Sequence, residues 1–593
     1  MGVLESIRYK INKNIYFFNQ YIEKKKILMH PFKEKIKIFL EKIYYNTKPY
    51  QKNLITLVIL AVVVLFFLIP ICDFCYNYIF FYPLDKVSQF NTTNVTEKAT
   101  IENLYRTTSI QFVTIIAQIL GSLAILIGLV FAWGNLNIAK EGQITERFTR
   151  AVDQLGNPAQ EIRLGGIHAL GRISKESKKD YSTIMVLLAD YVRINSNVYN
   201  HLENNYPKYG SLSMDILANE ITTSGILDEV VSTDIQIALK IIGERKSFFD
   251  NKKDKSLNLK ETFLRGAELS DLHLEGTILS WANLERAILI RTHLDNAYLK
   301  GTNLKFAYLH SAELKGANLE KVDLSGADLT LAHLEGANLK KVILKDAVLD
   351  AAHLEKADLQ GASLEKAFLV ITHLEGANLR FANLKEANLR LARLEGAELW
   401  KANFEGAFLY GASFEKASFG QINFKGANLS SAIFKEIGFG YANFEDATLK
   451  QAELEKANLI ECKLNRADLR GANLEGAYLM EAELIGAKLL GTNLEGANLE
   501  GANLEGADLR AVNLKEAQLD GANLFGVNLE NARLDNADLS RVDLRKARNL
   551  SIEQLSKVKS LDGAKIDEWL RRSLEERDPE KYQALLKKSD NYN

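Results

Sequence analysis

The stretch Gly496-Ala497-Asn498-Leu499-Glu500-Gly501-Ala502-Asn503-Leu504 decides the fold of most of this chain. Its leucine returns every fifth residue, and from Leu259 to Leu544 every fifth residue is Leu or Phe. A five-residue step spreads side chains over all faces of an α-helix and alternates them between the two faces of a flat strand. We therefore expect short extended sides that turn a corner every five residues and point each leucine into one continuous core.

Five histidines suggest how many sides make one coil. They lie on a single 20-residue period and are called the His ladder below: His273, His293, His333, His353 and His373. Five-residue sides with a 20-residue period favour a square solenoid. A duplicated 20-residue unit would leave the same trace whatever the geometry, so this spacing alone leaves the cross-section open.

Segments such as Ala317-Asn318-Leu319 and Ala327-Asp328-Leu329 follow the pattern A-(D/N)-L-x-x. Here the chain resembles the pentapeptide repeat family, over residues 256–548. The resemblance implies a mainly β fold, a right-handed quadrilateral β-helix; the handedness comes from the resemblance alone. Coils stacked at about 4.8 Å would give a rod about 70 Å long. Phenylalanines replace leucine around residues 404–444 and predict a locally wider cross-section.

Helices are expected at both ends of the rod, because open solenoid ends expose unpaired strand edges. Upstream, residues 233–244 carry apolar residues at helical spacing, within a helical junction domain at 134–255. Downstream, residues 549–593 predict a helical cap. Ser551 begins a capping-box pattern, a second helix is predicted over 566–574, and a third from Pro579.

Two uncharged apolar runs, 54–72 and 110–133, are long enough to cross a membrane. They predict a transmembrane hairpin whose loop, 73–109, faces outward, because basic residues gather before the first run and after the second. Residues 1–53 hold twelve Lys or Arg against four Glu and include a partly amphipathic stretch, so we expect contact with anionic lipid. The predicted location is the plasma membrane, multi-pass, with both termini cytoplasmic.

The junction adds a second resemblance and no recognisable chemistry. The stretches Phe148–Gly156 and Ile162–Ile173 are similar to a module often found beside pentapeptide repeats in membrane-anchored bacterial and archaeal proteins. Asn157 followed by Pro158 predicts a helix start. The glycines at 165 and 166 lack the spacing of a phosphate-binding loop.

Cysteine usage and motif spacing point away from an enzyme. Cys72 and Cys75 form a C-x-x-C at the outer end of the first predicted span and are candidates for a disulfide. Cys462 occupies a small-residue slot of the rod and is expected to be buried and inert. Because no catalytic triad or zinc-ligand spacing occurs, we predict no catalytic residue and no cofactor.

The His ladder is the one constellation in the rod that suggests chemistry. All five of its histidines are followed two residues later by an acid, at Glu275, Asp295, Glu335, Glu355 and Glu375. Outward imidazoles and carboxylates in neighbouring columns could respond to acid or bind a divalent metal. The same pattern is typical of a solvated mixed-charge face, which is the reading that the sequence favours.

A second face predicts partner binding. Eight apolar residues share the outward phase on one side of the rod: Ile288, Ile290, Tyr308, Val348, Phe368, Val370, Phe408 and Tyr410. Exposed apolar columns mark contact surfaces. The occupant could be a second copy of the rod, another protein or the chain's own helical region.

Two functional readings follow. The first is a non-catalytic, membrane-tethered scaffold whose cytoplasmic rod is a protein–protein interaction surface. The second comes from the resemblance, which implies a DNA-mimic regulator of gyrase, as in soluble quinolone-resistance pentapeptide proteins with strongly acidic rods. This rod departs from them through basic residues such as Lys340, Lys341 and Lys345. Nucleic-acid binding is not expected, because no basic stripe with stacking aromatics emerges along the repeats.

Overall fold

The computed structural model describes residues 16, 20, 95–197, 230–244, 257–577 and 579–586. By contacts the chain divides into two compact units, Met1–Arg147 and Phe148–Asn593, which are described separately. The first predicted span (54–72), Cys72, Cys75 and nearly all of residues 1–53 lie outside the described residues. The predicted disulfide and the predicted lipid contact therefore stay predictions.

The first long helix, α1, runs from Val95 to Leu155. It contains the predicted span 110–133, begins inside the predicted loop and ends inside the predicted junction, so the helix is longer than the apolar run. The boundaries of the span itself stay predictions. Hydropathy marks only the apolar part of a helix, whereas its end is set by the backbone. Here Pro158 disfavours the helical conformation at Asn157. Among the described helices, the segment Val113–Leu155 is long and apolar enough to cross a membrane, judged by length and composition only.

Three short helices precede the rod and pack on one another. They are α2 (Gln160–Glu176), α3 (Tyr181–Asn195) and α4 (Thr233–Gly243). Their shared core is formed by fully buried aliphatic side chains, including Ile167, Leu170, Ile173, Ile184, Leu188, Leu239 and Ile242. The helices predicted after Pro158 and over 233–244 are thus present, and their apolar stripes face each other.

The rod is a β-solenoid of 20-residue coils. Parallel bridges join residues 20 positions apart, from Asn258 with Ile278 to Asn528 with Arg548. Each five-residue side contributes one isolated bridge, because the chain turns a corner before a longer strand can form. The inward leucines are buried, for example Leu389 at 0% exposure. Four sides per coil, inferred from the His ladder, is confirmed.

The Asn or Asp of the repeat stabilises both the corner and the stack. Asn303 Oδ1 accepts a hydrogen bond from the Lys305 amide at 3.1 Å, which closes the corner. Asn303 Nδ2 donates to Asn283 Oδ1 in the preceding coil at 3.3 Å. Corner residues adopt positive φ, such as +65° at Gly496 and +54° at Lys341, so glycine is favoured there without being required.

The phenylalanine stretch packs as a stacked aromatic core. Phe404 and Phe424 stack with 5.2 Å between ring centroids. Within the described rod, Ser418 and Gly438 form no bridge with each other, although they bridge Glu398 and Asn458 respectively. Ile437 is buried beside this gap, in a slot that alanine fills in most repeats. The predicted local change of cross-section therefore includes one missing rung of the hydrogen-bonded ladder.

Both ends of the rod are covered. At the amino end, the Gly243 carbonyl accepts from the His273 amide at 2.8 Å. The Gln236 side chain donates to the Glu268 carbonyl at 2.6 Å and accepts from the Glu268 amide at 2.9 Å. A glutamine amide has the donor and acceptor of a peptide group, so Gln236 takes the place of a missing strand.

The carboxyl end is capped by three helices: α5 (Ile552–Leu555), α6 (Glu568–Arg577) and α7 (Pro579–Leu586). The capping box at Ser551 is confirmed, with reciprocal hydrogen bonds to Gln554. The predicted cap is not wholly helical, because Ser560 and Lys565 rejoin the ladder opposite Asp538 and Asp543. The bridged residues of this last partial coil are 22 positions apart instead of 20, so the five-residue period did not predict it.

Candidate functional surfaces of the rod and its junction

The His ladder lies on one face of the rod, and its rings stack. The imidazole centroids of His333 and His353 are 4.8 Å apart, and those of His353 and His373 are 4.6 Å apart. His273 and His293 stack at 4.5 Å in a separate pair. The spacing follows the distance between neighbouring coils, because each histidine occupies the bridging position of its side.

Four of the five ladder histidines contact the acid two residues after them: His273, His333, His353 and His373. His Nδ1 lies 3.1 Å from Glu335 Oε1 at His333, and 3.0 Å from Glu355 Oε1 at His353. Burial raises the pKa of Glu335, but hydrogen bonds from its own amide and from His333 outweigh this effect and hold the pKa below its ordinary value. The carboxylate is thus charged at neutral pH.

The ladder brings potential metal ligands together at three places. In each triad one nitrogen from each of two histidines and one carboxylate oxygen all lie within 4.8 Å of one another. The triads are His273–Glu275–His293, His333–Glu335–His353 and His353–Glu355–His373. The last two share His353.

The predicted apolar residues lie in two neighbouring columns of another face. Ile288, Tyr308, Val348, Phe368 and Phe408 share the bridging column, in which Asp328 and Asn388 interrupt them. Ile290, Val370 and Tyr410 lie two residues further on. Tyr308, Phe368, Phe408 and Tyr410 are about half exposed, and the aliphatic members are half-buried.

Three exposed apolar residues next to this face were missed by the sequence argument. Leu331, Ile371 and Leu391 are 44%, 49% and 49% exposed at the following corner. Their signal was available in the sequence, since all three share one 20-residue phase. The aromatic strip is defined here as Phe368, Val370, Ile371, Leu391, Phe408 and Tyr410, which span three successive coils.

Many acidic side chains elsewhere on the rod are paired with bases. Typical pairs join neighbouring coils, such as Lys300 with Glu320 at 2.9 Å and Lys385 with Glu405 at 3.0 Å. Arg466 makes a bidentate contact with Asp446, which lowers the pKa of that carboxyl. The surface is therefore mixed in charge, and exposed pairs of this kind contribute little to stability.

A buried polar cluster in the junction was not anticipated from the sequence. Asp234 is 2% exposed, and its Oδ2 accepts from Arg163 at 2.8 Å and from the Tyr191 hydroxyl at 2.6 Å. Its Oδ1 accepts from Ser232 at 2.7 Å. The cluster links α2, α3 and α4 through one carboxylate. Because its members are far apart in the chain, only their convergence reveals it.

Burial and hydrogen bonds within this cluster shift the pKa values of Asp234 and Tyr191. Burial alone would raise the pKa of Asp234, but hydrogen bonds from Tyr191, Ser232 and Arg163 lower it to about 2. Burial, and then the hydrogen bond to Asp234, raise the pKa of Tyr191 to about 12. Gln160 Nε2 also donates to Asp234 Oδ1, at 3.3 Å. A carboxylate that is ionised at neutral pH and held by four donors acts as a structural link between the helices.

Cys462 is buried as expected, and burial raises the pKa of its thiol to about 12. Because the thiolate is the reactive form, this residue is chemically inert at neutral pH. Within the described parts of the chain, no arrangement of nucleophile, base and oxyanion donors accompanies it.

The repeats match a family model. The model for pentapeptide repeats matches eight times, over residues 256–289, 287–326, 327–365, 372–409, 409–437, 439–476, 477–516 and 513–548. A comparison with curated proteins gives no match. Proteins of this family form right-handed quadrilateral β-helices and are generally non-catalytic.

Solved structures of similar proteins include two from cyanobacteria. HetL, a pentapeptide repeat protein involved in heterocyst differentiation regulation from Nostoc sp. strain PCC 7120, is 27% identical over 46% of this chain and 88% of its own, with a TM-score of 0.15. Another pentapeptide repeat protein from Nostoc PCC 7120 is 32% identical over 18% of this chain and 84% of its own, with a TM-score of 0.14.

A third similar structure is QnrB1, a plasmid-mediated fluoroquinolone resistance protein. It is 19% identical over 37% of this chain and 95% of its own, with a TM-score of 0.18. The family membership of this chain follows from its repeats and from the bridges between residues 20 positions apart. From residue 256 to residue 548, the chain belongs to the pentapeptide repeat family.

Proposed function

We propose that this chain is a non-catalytic, membrane-tethered scaffold that binds a protein partner on the aromatic strip. The observation that carries the proposal is the exposure of Phe368, Phe408 and Tyr410, at 46%, 50% and 49%, beside the exposed Ile371 and Leu391. Solvated aromatic and aliphatic side chains gathered on one rigid face are a favourable target for an apolar partner surface. Aromatic side chains at the centre of such a patch dominate binding energy.

The proposed membrane tether consists of two apolar segments, and it is inferred from their length and composition. Val113–Leu155 passes the length and hydropathy test for a span, and residues 54–72 supply a second apolar run. Both termini would be cytoplasmic, and the basic residues in 1–53 would bind anionic lipid. Protease added to intact cells should then spare the rod and the junction. Digestion of the rod from outside would overturn the proposed orientation.

The scaffold is preferred to the gyrase-mimic alternative because of the charge pattern. A DNA mimic needs a surface on which carboxylates stand in for phosphates, whereas many acids of this rod are paired with Lys or Arg in the next coil. A topoisomerase is therefore an outcome of the test and not the expected partner.

The test is co-purification with the detergent-solubilised full-length protein. We expect a stoichiometric partner that is lost in the double variant Phe368→Ser/Phe408→Ser. The matched control is Tyr441→Ser/Tyr478→Ser, which removes two aromatics of similar exposure from other faces and should retain the partner.

Three other results would overturn the proposal. Recovery of a topoisomerase would favour the DNA mimic. A homo-oligomer that depends on the aromatic strip, without any other protein, would favour self-assembly. Equal recovery from both double variants would remove the aromatic strip as the binding face.

A further inference from the structure

An uninterrupted column of carboxylates runs beside the His ladder. Glu335, Glu355, Glu375, Glu395 and Glu415 occupy the same position in five successive coils and are called the Glu column. Coils stack at about 4.8 Å, so these like charges lie close together. Proximity of this kind is unfavourable unless cations lie nearby.

Four of the five carboxylates in the Glu column have one oxygen that is left without a hydrogen bond. The Oε2 atoms of Glu335, Glu355, Glu375 and Glu395 are shielded from solvent and have no hydrogen-bond partner. Buried polar atoms are nearly always satisfied in native proteins. These four oxygens lie in one line, and each belongs to a residue that follows a histidine or an arginine by two positions. This face of the rod is therefore suited to binding a cation.

Among the described residues, fixed cations lie beside Glu335 and Glu375 but not beside Glu355, which stands between them in the Glu column. Lys315 Nζ lies 3.5 Å from Glu335, and Arg393 Nε lies 3.0 Å from Glu375. Among the ion pairs of the described rod, those of Glu355 are with His353 and His373, at 3.0 and 4.0 Å. Imidazole nitrogens are good metal ligands.

We propose that His353, Glu355 and His373 form a binding site for a divalent transition metal of the zinc type. The three ligand atoms lie within 4.8 Å of one another on neighbouring coils. Two imidazoles and one carboxylate suit Zn²⁺, with solvent at a fourth position, better than they suit Ca²⁺ or Mg²⁺, which prefer oxygen alone.

Metal binding would change the arrangement of the rings. Parallel imidazoles stacked at 4.6 Å cannot both aim a nitrogen lone pair at one ion, so His353 and His373 must tilt toward each other. The adjacent triad His333–Glu335–His353 shares His353 and therefore competes for the same ligand. We expect one ion, and not two, on this part of the ladder.

The test counts Zn²⁺ bound by the full-length protein in detergent, using equilibrium dialysis. His353→Asn should bind one equivalent less than wild type, because the two triads that share His353 both lose this ligand. Asparagine already occupies this bridging position at Asn338 and Asn378, so the substitution suits the repeat. The matched control, His310→Asn, removes a histidine from another face and should bind as much as wild type.

A second variant and a spectroscopic readout separate coordination from general charge effects. Glu355→Gln preserves side-chain shape and should weaken binding at least about tenfold, since even outer-shell partners of metal ligands matter by that factor. Co²⁺ should give visible absorption of a nitrogen- and oxygen-ligated ion in wild type, and this absorption should be lost in His353→Asn. Equal Zn²⁺ stoichiometry and affinity in wild type and His353→Asn would overturn the proposal. So would an equal loss in His310→Asn.

Discussion

The substitution Asp234→Asn should open the junction locally and uncap the amino end of the rod. The pKa of Asp234 lies at about 2 in the folded chain against an ordinary value of 3.8. This shift corresponds to about 2 kcal/mol of stability at neutral pH. Removing one partner of a buried pair also leaves Arg163 without its carboxylate, so the total loss could approach about 4 kcal/mol.

The assay is hydrogen exchange of backbone amides, read peptide by peptide. A loss of about 2 kcal/mol accelerates exchange by about 30-fold, and we expect this in α4. Because Gln236 and Gly243 of α4 hold the amides of Glu268 and His273, these should accelerate together with the helix. Amides near Leu389 should not change, because solenoid stability is local.

The matched control is Glu244→Gln, at the C-cap residue that directly follows α4. Lys175 Nζ and Glu244 Oε2 are 3.1 Å apart, with side-chain exposures of 71% and 39%, so this pair contributes at most about 1 kcal/mol. Exchange in the control should rise less than about fivefold. The reasoning is refuted if Asp234→Asn accelerates α4 no more than the control does, or if the middle of the rod accelerates equally.

The pH dependence has a definite sign. Because the folded pKa of Asp234 is below its ordinary value, its contribution is complete above pH 3.8 and is lost as the pH falls toward 2. Protection of α4 in wild type should therefore fall in that window. In Asp234→Asn the same acid-dependent loss should be absent, which a pH series of the exchange experiment would detect.

Three further predictions concern the rod. Cys462 should resist iodoacetamide in the native protein up to pH 9 and react after denaturation, as read from its peptide mass; modification in the native state would contradict its raised pKa. Gly301→Ala should destabilise its coil more than Gly496→Ala, because a Cβ at 301 would lie 2.5 Å from the Trp281 ring whereas 496 has open space. Both have positive φ, so the difference isolates the clash, and equal proteolysis rates would count against it. Ile437→Ala should leave a cavity in the wider core and speed amide exchange beside the missing rung, because Ile437 is buried there; unchanged or slower exchange would contradict this.

The repeat region was largely predictable from the sequence, because each five-residue repeat forms one side of a coil. Leucine at every fifth position can be buried in a chain that turns a corner every five residues. The 20-residue phase of His353 and its neighbours favoured four sides, and the bridges between residues 20 positions apart established them. The caps were predictable where helical spacing or a capping box was local, as at Ser551. The last partial coil at Ser560 was not, because a two-residue offset removed it from the period.

The sequence by itself therefore determined the solenoid, its buried columns and the ordering of its outward faces, since all of these follow from a strictly local repeat. Only the tertiary structure decided which distant groups meet. It brought Arg163, Tyr191 and Asp234 to one buried carboxylate and placed Gln236 where a strand was missing. It also left the Glu355 oxygen unsatisfied beside two imidazoles. Such convergences depend on side-chain directions between coils and helices, which no periodicity along one chain encodes.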